Sequence, residues 1–215
     1  MKTILKYFSK IVIFAMGWKI VGKFPNVPKM IIVLAPHKKG TFEVILGLLV
    51  SYSQSMKGRH VLIKEEAFKN RYIAWFLIKI GAIATKRNDD SKEMDRALQV
   101  QSIINEINDA QYMTLVITAE GTRIKKENPN PKWKTGFYFI ADGADIPYLL
   151  VAWDYERKLV IFDEMGPTYT SKDIMYGHVT DMAKLSEWYE ITIPGYVPNI
   201  IVDRFARQTS VTKRS

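Results

Sequence analysis

Short apolar runs rich in β-branched residues alternate with longer, helix-like segments along most of this chain. The runs IIVLA (31–35), HVLIK (60–64) and YMTLVIT (112–118) have the length and composition of buried parallel strands. Strand–helix alternation with short connections predicts an α/β fold, a single domain in which helices flank a mostly parallel sheet. Such sheets bind ligands at the carboxyl ends of their strands, so the residues that follow each strand are the first candidates for a functional site.

Three further strands and five helices complete the predicted core. The strands are expected at 82–85, in IPYLLVAW (146–153) and in KLVIF (158–162). The helices are expected at 42–56, at 66–80, at 91–109, from about residue 135, and from 172 to 190. Thr41 and Ser91 have the side chains that commonly cap a helix N-terminus, and they are the predicted N-caps of the first and third of these helices.

Residues 1–24 are predicted to form an N-terminal amphipathic segment ahead of an α/β domain over residues 25–215. Lys2, Lys6 and Lys10 recur every fourth residue, so a helix carries them as one basic stripe. The uncharged run that follows Lys10 is far shorter than the roughly 20 residues that cross a bilayer. Two interpretations stay open: a helix that lies on an anionic membrane surface, or a helix that caps the core of the domain.

The charge balance favours an anionic partner. The 31 Lys and Arg residues outnumber the 22 Asp and Glu residues, which gives a formal charge of +9. A nucleic acid, a phosphorylated ligand or an acidic lipid surface would suit this charge; nucleic acid ranks last because no recognition motif accompanies the charge. The chain has no cysteine, which excludes disulfides, thiol nucleophiles and thiolate metal sites and suits a reducing compartment. No cluster with metal-ligand spacing and no phosphate-binding glycine loop is found.

A histidine and a carboxylate follow the first predicted strand of the core. His37 comes directly after the strand, and Glu43 lies in the first turn of the next helix. A tight turn at Gly40 would bring the two side chains together, so that the carboxylate accepts one ring N–H and the other ring nitrogen is a free base. The alternative is a loop histidine beside a carboxylate that only supports its helix.

Four segments, in this order, resemble the sequence blocks of the glycerolipid acyltransferase family (PlsC-like lysophosphatidate acyltransferases). They are the His37 turn, KIGAIATKR with Arg87, ITAEGTRIKK with the block Glu120–Arg123, and GADIPYLL. The resemblance covers about residues 17–154, and the E-G-T-R block is its most specific part. The family's first block is H-x-x-x-x-D, whereas the acid here is Glu43, one residue further on. Its extra methylene is long enough to span the added turn residue.

The resemblance implies a role for each matched residue. His37 would deprotonate the acceptor hydroxyl, and Glu43 would hold the imidazolium. The positions expected to bind substrate are Arg87, Glu120, Gly121, Thr122 and Arg123. Of these, the two arginines would bind a phosphate, Glu120 would organise the acceptor site, and Gly121 would let backbone N–H groups approach an oxyanion.

The implied reaction moves a fatty acyl group from acyl-CoA or acyl carrier protein to lysophosphatidate and forms phosphatidate. The thioester supplies the driving force, so no metal or other cofactor is expected. The protein would act as a peripheral enzyme on the cytoplasmic face of the cell membrane. Two alternatives stay open: an acyltransferase for another lyso-lipid, such as one that contains an amino acid, and a lipid-binding protein that has lost turnover because its acid is shifted to Glu43.

Overall fold

A seven-stranded sheet lies at the centre of the described residues, which are 2–85, 93–170 and 174–200 in the computed structural model. Its strands are β1 (Lys19–Val21), β2 (Lys29–Ala35), β3 (Arg59–Lys64), β4 (Ala82–Thr85), β5 (Met113–Thr118), β6 (Tyr148–Asp154) and β7 (Leu159–Phe162). Their order across the sheet is β1-β7-β6-β2-β5-β3-β4. Every neighbouring pair is parallel except β6 and β7. The predicted α/β fold with a mostly parallel sheet is therefore confirmed.

Six α-helices flank this sheet within the described residues. They are α1 (Lys2–Ala15), α2 (Thr41–Ser53), α3 (Arg71–Lys79), α4 (Glu93–Asp109), α5 (Gly136–Gly143) and α6 (Ile174–Thr192). Helices α1 and α2 contribute to the apolar core on one face of the sheet, and α4, α5 and α6 contribute to the core on the other. Helix α3 is short and packs beside β4 and a 3-10 helix at the sheet edge.

Strand β2 connects the two cores because it lies between β5 and β6 in the middle of the sheet. Ile31 and Val33 belong to the core beneath α4, α5 and α6, whereas Ile32 and Leu34 belong to the core beneath α1 and α2. Both faces of the strand are covered, which is why its sequence is continuously apolar and does not alternate. Burial of each such side chain contributes about 1.5–3 kcal/mol, so this strand is a major source of stability and a fixed support for the loop after it.

Two local predictions are wrong. Helix α2 begins at Thr41, and its N-cap is Gly40, which has no side chain to cap the helix. The helix predicted at 66–80 is two elements, the 3-10 helix Glu65–Phe68 and α3. The break occurs because the Asn70 side chain accepts hydrogen bonds from the N–H groups of Tyr72 and Ile73, which starts a new helix. The predicted cap Ser91 lies outside the described residues.

Strand β1 was not anticipated from the sequence. It is three residues long and pairs with β7 at the edge of the sheet. A tight turn joins β6 to β7, and β6 and β7 are therefore antiparallel. The turn leaves the sheet at the carboxyl end of β6, beside the end of β2, so it brings a further segment to the edge where the predicted site lies.

Candidate functional site

Three loops meet at the carboxyl edge of the sheet. They follow β2, β5 and β6, which are adjacent in the order β6-β2-β5. The register pairs Leu34 with Thr118 and Ala35 with Ala152, so the three strands end close to the same level. His37, Glu120 and Tyr155 each follow one of these strand ends. Parallel packing therefore brings together side chains that are 35 to 118 residues apart in the sequence.

His37 and Glu43 are in contact. The His37 Nδ1 atom forms a short hydrogen bond with Glu43 Oε2, and the ring keeps 20% of its side-chain surface exposed while the carboxylate is buried. With Glu43 ionised, Nδ1 is the donor, and Nε2 is the ring nitrogen that is free to accept a proton. The expected meeting of the two side chains across the turn is present, and the pair has the geometry of a general base held by a carboxylate.

The turn between the strand and the helix accommodates the additional residue before the acid. Gly40 has φ 53° and ψ −107°, a conformation that requires glycine. The backbone N–H groups of Lys38 and Lys39 then point at Glu43 Oε1, at distances of 2.7 and 2.6 Å. The carboxylate is thus bound by the same loop that presents His37, which is a closer connection than a helix-supporting acid would make.

The environment keeps Glu43 ionised. Burial alone would raise the pKa of its carboxyl group, but several groups act in the opposite direction. The hydrogen bond and charge of His37, the N–H of Lys39 and the hydroxyl of Tyr155 together hold the pKa of Glu43 below its usual value. Glu43 is therefore a carboxylate at neutral pH, as a partner for an imidazolium must be.

Glu120 holds the loop that carries His37 by a hydrogen bond. Its side chain is buried, and Oε1 accepts hydrogen bonds from the backbone N–H of His37 at 3.2 Å and from the Tyr196 hydroxyl at 2.6 Å. Its other oxygen, Oε2, has no hydrogen-bond partner among the described residues. Burial raises the pKa of Glu120, and the bond from Tyr196 only partly opposes this. Glu120 therefore holds the loop of His37 through a hydrogen bond with the His37 backbone.

The segment after Glu120 is tied to the histidine loop. Gly121 has φ 64°, and Gly121, Thr122 and Arg123 all line the same cleft as His37. The N–H of Ile124 donates to the His37 carbonyl at 2.8 Å. The N–H of Gly121 donates to the carbonyl of Thr118 at 3.0 Å, which closes the turn after β5.

Arg123 reaches across the turn at Gly40. A Cβ atom built on Gly40 would lie 3.0 Å from both Cδ and Nη1 of Arg123, so the arginine side chain runs directly over this glycine. The residue is exposed, and no carboxylate pairs with its guanidinium within residues 2–85, 93–170 and 174–200. Its fork of donors is thus placed over the turn that follows His37 and suits an incoming anion. Arg87, the other predicted phosphate ligand, lies outside the described residues.

An apolar cleft of about 610 Å³ opens beside these residues. Its walls are the faces of α2 and of the central strands. They include Leu34, Val44, Leu48, Val50, Val116 and Val151. His37 and Arg123 line the same cleft, which therefore combines apolar volume, a base and a cation, the groups needed by a substrate with a hydrocarbon chain and an anionic end. Within the described part of the chain, no group of His, Asp and Glu side chains forms a metal site.

Two tyrosines of the site were missed in the sequence. Tyr155 follows β6, and its hydroxyl donates to Glu43 Oε1. Tyr196 follows α6 and joins Glu120 to the indole N–H of Trp133. Tyr155 could have been found, because it follows a predicted strand in the same manner as His37. Nothing in the local sequence of Tyr196 signals that the chain returns to the site.

Two helices expose apolar faces to solvent. In α1, Ile13 packs into the core, while the opposite side carries Ile4, Tyr7, Phe8, Ile11 and Phe14, which are 58–78% exposed. In α3, the exposed residues are Tyr72, Ile73, Trp75, Phe76 and Ile78. Helix α1 thus caps the core and also presents a second apolar face. Among the described helices, none is both long and apolar enough to cross a bilayer.

Comparisons with known proteins agree with this architecture. The crystal structure of the 1-acyl-sn-glycerophosphate (LPA) acyltransferase PlsC from Thermotoga maritima is similar in fold, with a TM-score of 0.51 and 13% sequence identity over 87% of this chain and 79% of that chain. No curated protein matches the chain. A family model described as Acyltransferase matches residues 21–153, more than half of the sequence, and includes both His37 and Arg123. The chain therefore belongs to the acyltransferase family.

Proposed function

We propose that this protein transfers a fatty acyl group from acyl-CoA or acyl carrier protein to the free hydroxyl of lysophosphatidate, forming phosphatidate. The observation that carries this proposal is the contact between His37 and a buried, ionised Glu43 beside an apolar cleft that Arg123 also lines. Membership of the acyltransferase family supports the reaction type. The name of the structurally similar protein supports lysophosphatidate as the acceptor.

The geometry suits direct transfer between the two substrates. Nε2 of His37 takes the proton of the acceptor hydroxyl while the hydroxyl oxygen attacks the thioester carbonyl. The tetrahedral intermediate then expels the thiolate, and the proton on His37 passes to that sulfur. Glu43 stays ionised and stabilises the imidazolium that exists between these two proton transfers. The thioester supplies the driving force, so this sequence of steps requires no metal or other cofactor.

Arg123 is the proposed ligand of the acceptor phosphate. Its guanidinium lies over Gly40 and faces the cleft beside His37. The resemblance to the family assigns the same role to Arg87 and places Gly121 and Thr122 in the acceptor site. Glu120 fixes the backbone of His37 through its Oε1 atom, and this support matches the organising role that the resemblance implies. The apolar cleft is the proposed site of the acyl chain.

The test is acyl transfer by the purified full-length chain with a labelled long-chain acyl-CoA. The acceptors are lysophosphatidate and a lyso-lipid whose head group is an amino acid without phosphate. His37→Ala should lower kcat by roughly 10²–10⁴-fold, the usual contribution of a general base, while its melting temperature stays near that of the wild type. Transfer that continues at the wild-type rate in this variant would refute His37 as the base.

Replacement of Arg123 tests which acceptor the protein uses. Arg123→Ala should raise KM for lysophosphatidate by about tenfold or more, because a charge-assisted contact is lost. The matched control is Lys184→Ala, which removes an exposed cation from α6 on the other face of the sheet. If Arg123→Ala leaves KM for lysophosphatidate unchanged and the phosphate-free lyso-lipid is the better acceptor, the phosphate assignment is wrong and the amino-acid-containing acceptor is favoured.

The lipid-binding alternative without turnover depended on the shifted acid. Glu43 contacts His37 from its shifted position, so the shift gives no reason to expect loss of activity. This alternative still makes a distinct prediction: vesicles with lysophosphatidate would bind the protein in an Arg123-dependent manner, yet no donor would support transfer.

We also propose that the protein associates peripherally with an anionic membrane surface on the cytoplasmic face of the cell membrane. The exposed apolar faces of α1 and α3 support this, together with the net charge of +9. The absence of cysteine suits the reducing side of the membrane. Phe8→Asp in α1 should reduce sedimentation with anionic vesicles, whereas Tyr169→Ser, at an exposed tyrosine outside both helices, should not. Equal binding of Phe8→Asp and the wild type would exclude α1 as the contact.

A further inference from the structure

The hydroxyl of Tyr155 lies beside the acid of the proposed catalytic pair. It donates a hydrogen bond to Glu43 Oε1, and the carbonyl oxygen of Pro36 lies 3.3 Å away. Tyr155 is the first residue after β6 and stands two positions beyond the segment that matches the acyltransferase family model. It is therefore a feature of this site that the family model does not include.

The hydrogen bonds divide the two oxygens of Glu43 between two tasks. Oε1 accepts from the N–H groups of Lys38 and Lys39 and from the Tyr155 hydroxyl. Three donors occupy the acceptor sites of this oxygen. Among the described residues, Oε2 then has one hydrogen-bond partner, Nδ1 of His37. The donors on Oε1 thus prevent the carboxylate from rotating and keep Oε2 directed at the imidazole.

We infer that Tyr155 is a positioning residue, which holds Glu43 so that its Oε2 faces His37 throughout the reaction. This inference rests on the proposed function and adds a residue to it. The need for such a residue follows from the sequence, because Glu43 lies one position later than the family's aspartate and has one more rotatable bond. The two backbone donors come from the loop of His37 itself, whereas Tyr155 anchors the carboxylate to the central sheet through β6.

The ring of Tyr155 is itself held in place. The Trp18 ring contacts it edge-on, with 5.9 Å between the centroids, and the ammonium groups of Lys38 and Lys39 each lie 6.0 Å from its centroid. Burial and the negative charge of Glu43 raise the pKa of the Tyr155 hydroxyl far above its ordinary value. The hydroxyl therefore remains protonated and a donor at any pH at which the protein would work.

Tyr155→Phe removes the hydroxyl and keeps the ring contact with Trp18. The variant therefore measures the effect of the hydroxyl alone. We expect kcat to fall about 10- to 100-fold, the range for a lost hydrogen bond to a charged group, with little change in KM for either substrate. The hydrogen bond from Tyr155 helps to hold the pKa of Glu43 below its usual value, so loss of this donor raises the pKa of the carboxyl group. The acid limb of the pH–kcat profile should therefore move to higher pH.

A matched control is available in Tyr189→Phe. The Tyr189 hydroxyl is also buried and donates to backbone carbonyls, at 2.6 Å from Val33 and 3.2 Å from Val151, but it does not contact Glu43. This variant should lower the melting temperature and leave the acid limb where it is. In a Glu43→Ala background, Tyr155→Phe should have no further effect on kcat, since the group that it positions is absent.

A spectroscopic measurement makes the inference independent of acyl transfer. The proton on Nδ1 of His37 should give a downfield NMR resonance, assigned by its loss in His37→Ala. In Tyr155→Phe this resonance should shift upfield or broaden, and in Tyr189→Phe it should not. If the wild type transfers no acyl group, the proposed function fails, and this resonance alone decides the role of Tyr155. The inference is overturned if the resonance is unchanged in Tyr155→Phe, or if the substitution lowers kcat equally with and without Glu43.

Discussion

Replacement of Gly40 by alanine tests whether the turn assembles the site. The residue has φ 53° and ψ −107°, where a Cβ atom clashes with the backbone. The added methyl group would also lie 3.0 Å from Cδ and Nη1 of Arg123. These atoms belong to the far end of a flexible side chain, which moves aside at little cost. The backbone strain therefore dominates the effect of the substitution.

The expected loss of stability follows from that strain. A residue held in a disfavoured backbone conformation costs about 1–3 kcal/mol. For a chain of 150–250 residues, each 1 kcal/mol lowers the melting temperature by roughly 2–4 °C, so a decrease of about 2–12 °C is expected. If the turn relaxes to avoid the strain, the N–H groups of Lys38 and Lys39 move away from Glu43. The rate of acyl transfer should then fall by about tenfold or more, in line with the loss of a charge-assisted hydrogen bond.

Two assays check this prediction, thermal denaturation and acyl transfer. Gly47→Ala is the control for stability, because Gly47 lies within α2 and a Cβ atom there meets nothing within 4 Å. That substitution should stabilise the protein by about 0.5–1 kcal/mol, the ordinary gain when alanine replaces glycine in a helix. If Gly40→Ala is as stable as the wild type and equally active, the turn does not depend on glycine and the argument is wrong.

Three other predictions concern the pH response, the cleft and the packing of α1. The pKa of Glu43 is lowered, so Glu43 adds stability that is lost as the pH falls below the usual glutamate pKa. The pKa of Glu120 is raised, so Glu120 lowers stability as the pH rises above the usual glutamate pKa. The free energy of unfolding, measured by urea denaturation, should therefore change its dependence on pH in opposite directions in Glu43→Gln and Glu120→Gln. If the two variants show the same dependence on pH, the assignment is wrong. Gly47→Phe should fill part of the cleft and shift acyl-CoA preference toward shorter chains; an unchanged preference would place the acyl chain elsewhere. Ile13→Ala should lower the free energy of unfolding by about 2–5 kcal/mol, because the Ile13 side chain is buried. Ile11→Ala, at an exposed position, should change it by no more than about 0.5 kcal/mol. Equal melting temperatures of the two variants would contradict this packing of α1.

The architecture was predictable from the sequence because local and long-range preferences agree in its strands. Runs such as Ile31–Ala35 are apolar at every position, because both faces of the strand are covered. Short runs of this kind are typical of buried strands in a parallel sheet. The rule that ligands bind at the carboxyl ends of strands then identified His37 and Glu120 as neighbours. Glu120 accepts a hydrogen bond from the backbone N–H of His37, and no spacing rule specifies this contact.

Other features depend on tertiary contacts that leave no local trace. Thr41 is a good capping residue, yet the position before α2 is Gly40, because the turn that bonds Glu43 needs a conformation that threonine cannot adopt. Tyr196 reaches Glu120 only because α6 packs against the sheet and returns the chain to this edge. Strand β1 is three residues long and is defined by its pairing with β7 and not by its own composition.

The turn between β6 and β7 fixes the position of Tyr155. Buried Asp154 accepts hydrogen bonds from the N–H groups of Glu156 and Arg157 at 3.0 and 2.8 Å, and the ladder resumes at once with Asp154 opposite Leu159. Tyr155 lies within this closed turn, between a strand end fixed by hydrogen bonds to Asp154 and the resumed ladder. Any displacement of its hydroxyl from Glu43 would therefore have to break part of this hydrogen-bonded turn.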